Sequence, residues 1–148
     1  MSLDEYEKKR NFGKTKEPEG QAESHDTRIY VIQKHDASHL HYDLRLEKNG
    51  VLKSWAVPKE PPIKEGIRRL AVQVEDHPIE YATYEGTIPK GEYGAGTVEI
   101  WDRGTFVPEL FDKDRVIFVI RGERLQGKYC LIRLKPNEKN FLFFKMKG

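Results

Sequence analysis

From residue 28 onward the chain is written in short β-like runs separated by turn signals of Gly, Pro, Asn or Asp, and in two of them, 40–47 and 68–77, apolar and polar residues alternate. A period of two is the mark of a pleated strand with one face covered and one face open. Such runs stand at 28–34 (RIYVIQK), 40–47 (LHYDLRLE), 51–58 (VLKSWAVP), 68–76 (RRLAVQVED), 96–104 (GTVEIWDRG), 115–122 (RVIFVIRG), 127–134 (GKYCLIRL) and 141–146 (FLFFKM). Lys48-Asn49-Gly50 has the length and chemistry of a tight hairpin turn. The stretch 58–66 (PKEPPIKEG) is a proline-broken loop, and 86–96 (GTIPKGEYGAG) is a long glycine-rich one. Six or more closely spaced strands with hardly a helical segment predict an all-β, mainly antiparallel fold, a compact barrel or sandwich.

The first 27 residues read differently. They carry scattered charges of both signs, few apolar residues and no periodicity, so residues 1–27 are expected to form an irregular arm with one short helix near residues 4–10. Residues 28–148 then make a single domain, since 148 residues suffice for one sizeable core and not for two. A net charge of +2 neither requires nor excludes a nucleic-acid partner. No apolar run approaches the ~18 residues of a membrane span, and the N-terminus has no secretory pattern. With a single cysteine, Cys130, in an apolar run, a buried inert thiol and a cytoplasmic setting are expected.

Two runs have chemically rich faces. In 33–47, His39, His41, Asp43, Arg45 and Glu47 share one parity, and Leu40, Tyr42, Leu44 and Leu46 the other. In 68–81, aliphatic Leu70, Val72 and Val74 alternate with Arg69, Ala71, Gln73, Glu75 and His77, and Tyr81 follows close behind. The expectation is that the two polar faces meet over a pocket. A solvated face normally uses Lys, Glu, Thr or Ser, so the imidazoles are the informative residues. Residues two apart on a strand point the same way, about 6.5–7 Å apart, so His41 and Asp43 can converge on one ion, with His35 arriving from the preceding strand. Two imidazoles and a carboxylate suit Mn²⁺, Fe²⁺, Co²⁺ or Zn²⁺ better than Ca²⁺. The spacing alone fits a metal set and a surface cluster equally. His39 reads as a surface histidine and His25 as solvated. Arg45 beside such a set could grip a phosphate or simply pair with Asp43 or Glu75; Arg69, Lys59 and His77 could extend the grip.

Three longer stretches, 31–62, 68–104 and 141–148, closely resemble the 3′-phosphoesterase module of bacterial ATP-dependent DNA ligase D, which also exists as stand-alone proteins. The resemblance covers residues 28–148 well and the arm more weakly. It implies a small closed β-barrel with a polar, metal-containing cavity. It also implies a Mn²⁺-dependent enzyme, with Co²⁺ or Zn²⁺ as substitutes, that removes a 3′-terminal ribonucleoside to leave a 3′-phosphate and then hydrolyses that phosphate to a 3′-OH. By resemblance His35, His41 and Asp43 are the metal ligands. Arg45 and His77 grip the scissile phosphate with Tyr81 beside them, and Lys59, Arg69 and Glu75 match further site positions. In the arm, RNFGKTKEP places Arg10 and Glu17 at the site; Asn11 stands where the family has Asp, and an amide can bond a ribose hydroxyl but cannot act as a base. The implied partners are DNA primer-template or duplex 3′ ends, bearing a terminal ribonucleotide or a 3′-phosphate, with a separate ligase and polymerase, and the implied state is a monomer.

Two other classes fit parts of the pattern. His41-Tyr42-Asp43 is an H-x-D, and with His77 as distal histidine it reads as the facial triad of an Fe(II) oxygenase on a β scaffold. Trp55, Trp101 and Tyr93 could instead serve as stacking residues of a non-catalytic nucleic-acid-binding barrel.

Overall fold

The computed structural model describes residues 26–147. The expected arm, its short helix, and Arg10, Asn11, Glu17 and His25 therefore lie outside the described residues. Nine strands follow in order: β1 (Arg28–Asp36), β2 (Leu40–Lys48), β3 (Val51–Val57), β4 (Arg68–Pro78), β5 (Gly86–Ile88), β6 (Gly96–Phe111), β7 (Arg115–Gly122), β8 (Gln126–Arg133) and β9 (Asn140–Lys145). A 3₁₀ turn, Ile79–Thr83, joins β4 to the glycine-rich loop. None of the described helices is long and apolar enough to cross a membrane.

The strands run β1-β2-β3-β4-β9-β8-β7-β6 around a ring, and β6 pairs back onto β1 to close it; β5 adds to β6 outside the ring. All pairings are antiparallel, so the expected all-β barrel is present, with eight strands in its wall. Closure leaves the eight wall strands with partners on both sides. The β2–β3 hairpin turns where expected, but Lys48 pairs with Val51 and the turn is two residues rather than three: Asn49 and Gly50 both take positive φ, 53° and 81°, as a type I′ turn requires.

Two elements escaped the sequence pattern. β6 continues through residues 105–111, where Pro108 argues against a strand. The proline is tolerated because the register with β7 slips between Pro108 and Leu110, at a bulge. β5 lies inside the glycine-rich loop and is only three residues long, too short to show a period.

The lumen is apolar. Tyr30 and Ile32 from β1, Tyr42, Leu44 and Leu46 from β2, and Trp55 and Val57 from β3 meet Phe106, Phe118, Tyr129, Phe141 and Phe143 across it. The rings pack edge-on or offset, Trp55 against Phe141 at 5.7 Å and Phe106 against Phe118 at 5.8 Å, the arrangements that aromatic quadrupoles favour. Cys130 is buried in the wall, as expected, and burial raises its thiol pKa, so it stays protonated.

One buried carboxylate fastens this core to a turn. Asp102 on β6 accepts hydrogen bonds from the Tyr30 hydroxyl at 2.7 Å and from the amides of Glu123, Arg124 and Leu125 in the β7–β8 turn at 2.8–3.0 Å. Burial, then the Asp102 charge, pushes Tyr30 well above an ordinary phenol, so its hydroxyl remains a donor. Asp102→Ala strips four donors of their acceptor and should lower stability by about 2–4 kcal/mol. Chemical denaturation measures this; a loss below about 0.5 kcal/mol would mean that strand pairing alone holds the turn.

Candidate active site

Register decides what shares a face. Across β1–β2–β3, Val31 stands opposite Arg45 and Arg45 opposite Ser54; Gln33 stands opposite Asp43; His35 stands opposite His41. These residues occupy the parity opposite to the lumen residues, so the polar cluster stands on the outer face of the wall. The face is nonetheless covered. His35, Asp43, Arg45, Glu47, Gln33 and Ser54 are all buried, because the 3₁₀ turn and the glycine-rich loop lie over them. The wet strand face read from the sequence is thus an interior surface of a second kind.

His35, His41 and Asp43 come together as expected. Their ligand atoms all lie within 4.8 Å of one another, with His41 Nε2 at 3.4 Å and His35 Nδ1 at 3.7 Å from the Asp43 carboxylate. Each imidazole is oriented by a backbone carbonyl. His35 Nε2 lies 2.7 Å from the Gly94 carbonyl, and His41 Nδ1 lies 2.9 Å from the His39 carbonyl. A carbonyl only accepts, so those nitrogens carry the protons and the facing nitrogens, His35 Nδ1 and His41 Nε2, carry lone pairs. Two lone pairs and a carboxylate then point at one another. Such a group demands either protons or a cation, and its N,N,O donor set fits a divalent transition metal. Competition from protons is built in: the hydrogen bond to Asp43, above all, raises the His41 pKa.

Arg45 lies next to this group and is 3% exposed. Its Nε–H donates to Gln33 Oε1 at 2.7 Å and an Nη1–H to Ser54 Oγ at 2.8 Å, while Nη2 lies 3.5 Å from Asp43. Its flat face rests on the Tyr81 ring at 4.8 Å. Burial lowers its pKa, with Asp43 opposing, and a guanidinium stays charged nonetheless. Among the described residues, hydrogen bonds occupy two of its five N–H groups and a third faces Asp43, so two remain for an anion.

His77 reaches the same face through an irregularity. Between β3 and β4 the register runs Leu52↔His77 and then Ser54↔Val74, two residues against three, so a bulge at Glu75–Asp76 shifts the parity. This corrects the sequence reading of β4. Leu70, Val72 and Val74 lie on the outer face, and Leu70 is exposed, whereas Ala71 enters the lumen. His77 Nδ1–H donates to the Glu75 carbonyl at 3.1 Å, which leaves Nε2 with a lone pair. Desolvation, then the Arg45 charge, lowers the His77 pKa, so the ring is neutral at neutral pH. Its ring meets Tyr81 at 4.9 Å.

The other sequence candidates differ in their surroundings. Arg69 pairs opposite Phe143, a lumen residue, and its Nε–H donates to the Glu60 carbonyl, so it turns away from the cluster. Lys59 is exposed in the β3–β4 loop, and the Glu75 side chain is exposed in the bulge but close enough to His77 for its charge to act on that imidazole. His39 is exposed and serves the cluster through its carbonyl alone. Trp55 is inside the barrel, Trp101 is covered by the Arg124 guanidinium at 4.8 Å, and Tyr93 is 94% exposed, so the three form no common platform. The third donor beside His41 and Asp43 is His35 rather than His77, contrary to the oxygenase arrangement.

Gln33, Ser54 and the Gly94 carbonyl were missed. Gln33 had a signal, a polar residue at the parity of His35 in an apolar run. Ser54 is legible only once register sets it opposite Arg45. A backbone carbonyl leaves no signal at all.

A small antiparallel barrel with an apolar lumen, bearing a histidine–carboxylate metal-type centre and a buried arginine on its outer wall, is the class of protein these features define. The family model for the DNA ligase D 3′-phosphoesterase domain matches residues 33–133, and the chain belongs to that family. It is 49% identical over 154 residues to the multifunctional non-homologous end joining protein LigD of Pseudomonas aeruginosa, covering 99% of this chain and 18% of that protein. It is 50% identical over 152 residues to LigD of Mycobacterium bovis (99% and 20%), and 45% identical over 158 residues to LigD of Mycolicibacterium smegmatis (98% and 20%). The chain thus spans about a fifth of the length of these relatives.

Loss of an outer hydrogen-bond partner costs a metal centre about 10–100-fold in affinity. His41→Ala and Asp43→Ala each remove one of the three side chains that could hold a metal and should cost more than about 100-fold in affinity for an ion held there, measured with Mn²⁺ as the probe by electron paramagnetic resonance. His39→Ala keeps the carbonyl and should leave affinity unchanged; a large loss there would make His39 a ligand.

Proposed function

We propose that this chain is a Mn²⁺-dependent phosphoesterase that heals DNA 3′ ends, acting as a monomer in the cytoplasm. The reading is supported above all by Arg45, a buried cation with two uncommitted N–H groups beside a lone-pair-only donor set. Family membership and the end-joining names of the relatives supply the substrate class.

The substrates are primer-template or duplex ends. In the first reaction the P–O5′ bond to a terminal ribonucleoside breaks, water supplies the new oxygen, and a 3′-phosphate remains. In the second, the P–O3′ bond of that phosphate breaks to give inorganic phosphate and a 3′-OH, an end that a separate polymerase or ligase can use. His35, His41 and Asp43 would hold Mn²⁺, which when bound supplies Lewis-acid stabilisation of charge on a phosphoryl oxygen. Arg45 contributes a fixed charge and two donors to the non-bridging oxygens, already desolvated and already oriented. His77, neutral and with Nε2 bare, is equipped to accept a proton from the attacking water; as a proton donor it would first have to be charged against Arg45. Tyr81 carries Arg45 on its ring. A groove of about 680 Å³ lies beside the 3₁₀ turn, with Arg103 and Arg121 on its wall together with Glu80 and Glu123. In the arm, Arg10, Asn11 and Glu17 are assigned to the substrate by resemblance only.

Incubation of the protein and Mn²⁺ with a 5′-labelled primer-template ending in one ribonucleotide should yield the 3′-phosphate product first and the 3′-OH product second. Arg45→Ala should keep Mn²⁺ affinity yet lose about 100- to 1,000-fold in turnover, the scale seen when one preorganised charge-stabilising group is removed. No cleavage by the wild-type protein, or a fully active Arg45→Ala, would overturn the reading.

The pH dependence follows from His77. Its pKa is lowered from 6.5, so the acceptor form persists through neutrality and is lost only as pH falls below that value. At saturating Mn²⁺, kcat should be flat above neutrality and decline on the acid side, and the residual activity of His77→Asn should lack that decline. A rate that instead rises toward acid would assign His77 as the proton donor.

A further inference from the structure

Tyr84 has no part in the scheme so far, yet it belongs to the same column of groups. In a 3₁₀ helix the side chains at i and i+3 eclipse one another. Tyr81 and Tyr84 sit at that spacing at the end of the turn, where the Tyr84 amide donates to the Tyr81 carbonyl at 3.1 Å. Their rings stack, with centroids 4.9 Å apart and planes inclined by 20°. The Arg45 guanidinium lies over the same Tyr81 ring at 4.8 Å. Gln33 ties this column at both ends: its Nε2 donates to the carbonyls of Tyr81 and Tyr84 at 2.7 and 3.2 Å, while its Oε1 accepts from Arg45 Nε. Tyr84 is also backed by glycine. A Cβ at Gly86 would come within 3.1 Å of the Tyr84 hydroxyl and 3.5 Å of its ring, so the chain leaves the space that the ring occupies.

We infer that Tyr84 is a positioning residue for Arg45: its ring, stacked on Tyr81, holds Tyr81 against the guanidinium and so fixes the direction of the two N–H groups left for substrate. Tyr84 stacks on Tyr81 and Tyr81 meets Arg45, so the influence of Tyr84 on the guanidinium runs through Tyr81. The inference rests on the proposed role of Arg45 as the group that grips phosphate.

The test uses the full chain with Mn²⁺ and a duplex carrying a 3′-phosphate, at a temperature where every variant is folded by circular dichroism. Tyr84→Phe keeps the stack and should hold kcat within about twofold of wild type, whereas Tyr84→Ala should lose about 10- to 100-fold in kcat, the scale on which misplacing a catalytic group acts. Mn²⁺ affinity should be unchanged in both. Should the alanine variant fail to fold, Tyr84→Leu, which keeps apolar bulk but no aromatic face, replaces it with the same expected loss. A readout independent of turnover is the Arg45 Nε–H resonance in protein without added metal: slow solvent exchange in wild type and Tyr84→Phe, and fast exchange in Tyr84→Ala or Tyr84→Leu. Wild-type kcat in the alanine or leucine variant while Arg45→Ala is inactive would overturn the inference and leave the function standing. Equal losses in the phenylalanine and alanine variants would overturn it too, by assigning the effect to the hydroxyl. Full activity of Arg45→Ala would sink the functional reading itself.

Discussion

A single guanidinium organises the outer wall of this barrel. Burying Arg45 removes a full charge from water, a cost that only hydrogen bonds and an opposite charge can offset. Gln33 on β1, Ser54 on β3, Asp43 on its own strand and the face of Tyr81 supply them. Those partners come from three adjacent strands and the turn above them. The requirement that one cation be satisfied therefore fixes strand register, the seat of the 3₁₀ turn and the position of Asp43 together. Removing any partner leaves a charge short of compensation, so the network is held as a unit.

The two faces of the wall divide the work. Inward-facing side chains fill the lumen with aliphatic and aromatic groups and supply the apolar burial that makes the fold stable. Outward-facing side chains on β1–β3 are free to be polar, because the lumen does not depend on them. Closing the sheet through β1 and β6 makes that outer surface rigid: β1 is paired on both sides along most of its length. A site on paired strands holds its groups more closely than one assembled from loops. The loops here contribute a carbonyl, at Gly94, and a lid of aromatic rings.

The histidines are set by very short-range geometry. His41 and His77 each donate Nδ1–H to the carbonyl two residues before, which turns Nε2 outward with a bare lone pair. The same local device yields different groups because the neighbours differ. Beside Asp43, the His41 imidazole holds its proton more tightly. Beside Arg45, with burial acting first, the His77 imidazole is kept neutral. The two shifts run in opposite directions within one small cluster, the hydrogen bond to Asp43 raising one and burial with the Arg45 charge lowering the other.

Sequence alone determined the strands with a clean period of two, the Asn49-Gly50 turn, and the grouping of His35, His41, Asp43 and Arg45. On β2 the alternation is unbroken from Leu40 to Glu47, so parity reads directly as face. The long motifs also carried the family. Tertiary structure decided what parity cannot express. A bulge at Glu75–Asp76 turned His77 toward Arg45 and left Arg69 on the lumen side, since one extra residue inverts every face beyond it. Pairing across β2 and β3 made Ser54 a partner of Arg45, and chain reversal brought the Gly94 carbonyl to His35 from 59 residues away. Alternation says which residues lie together on a strand; it does not say which strand will stand beside it, or what will cover the face that is left.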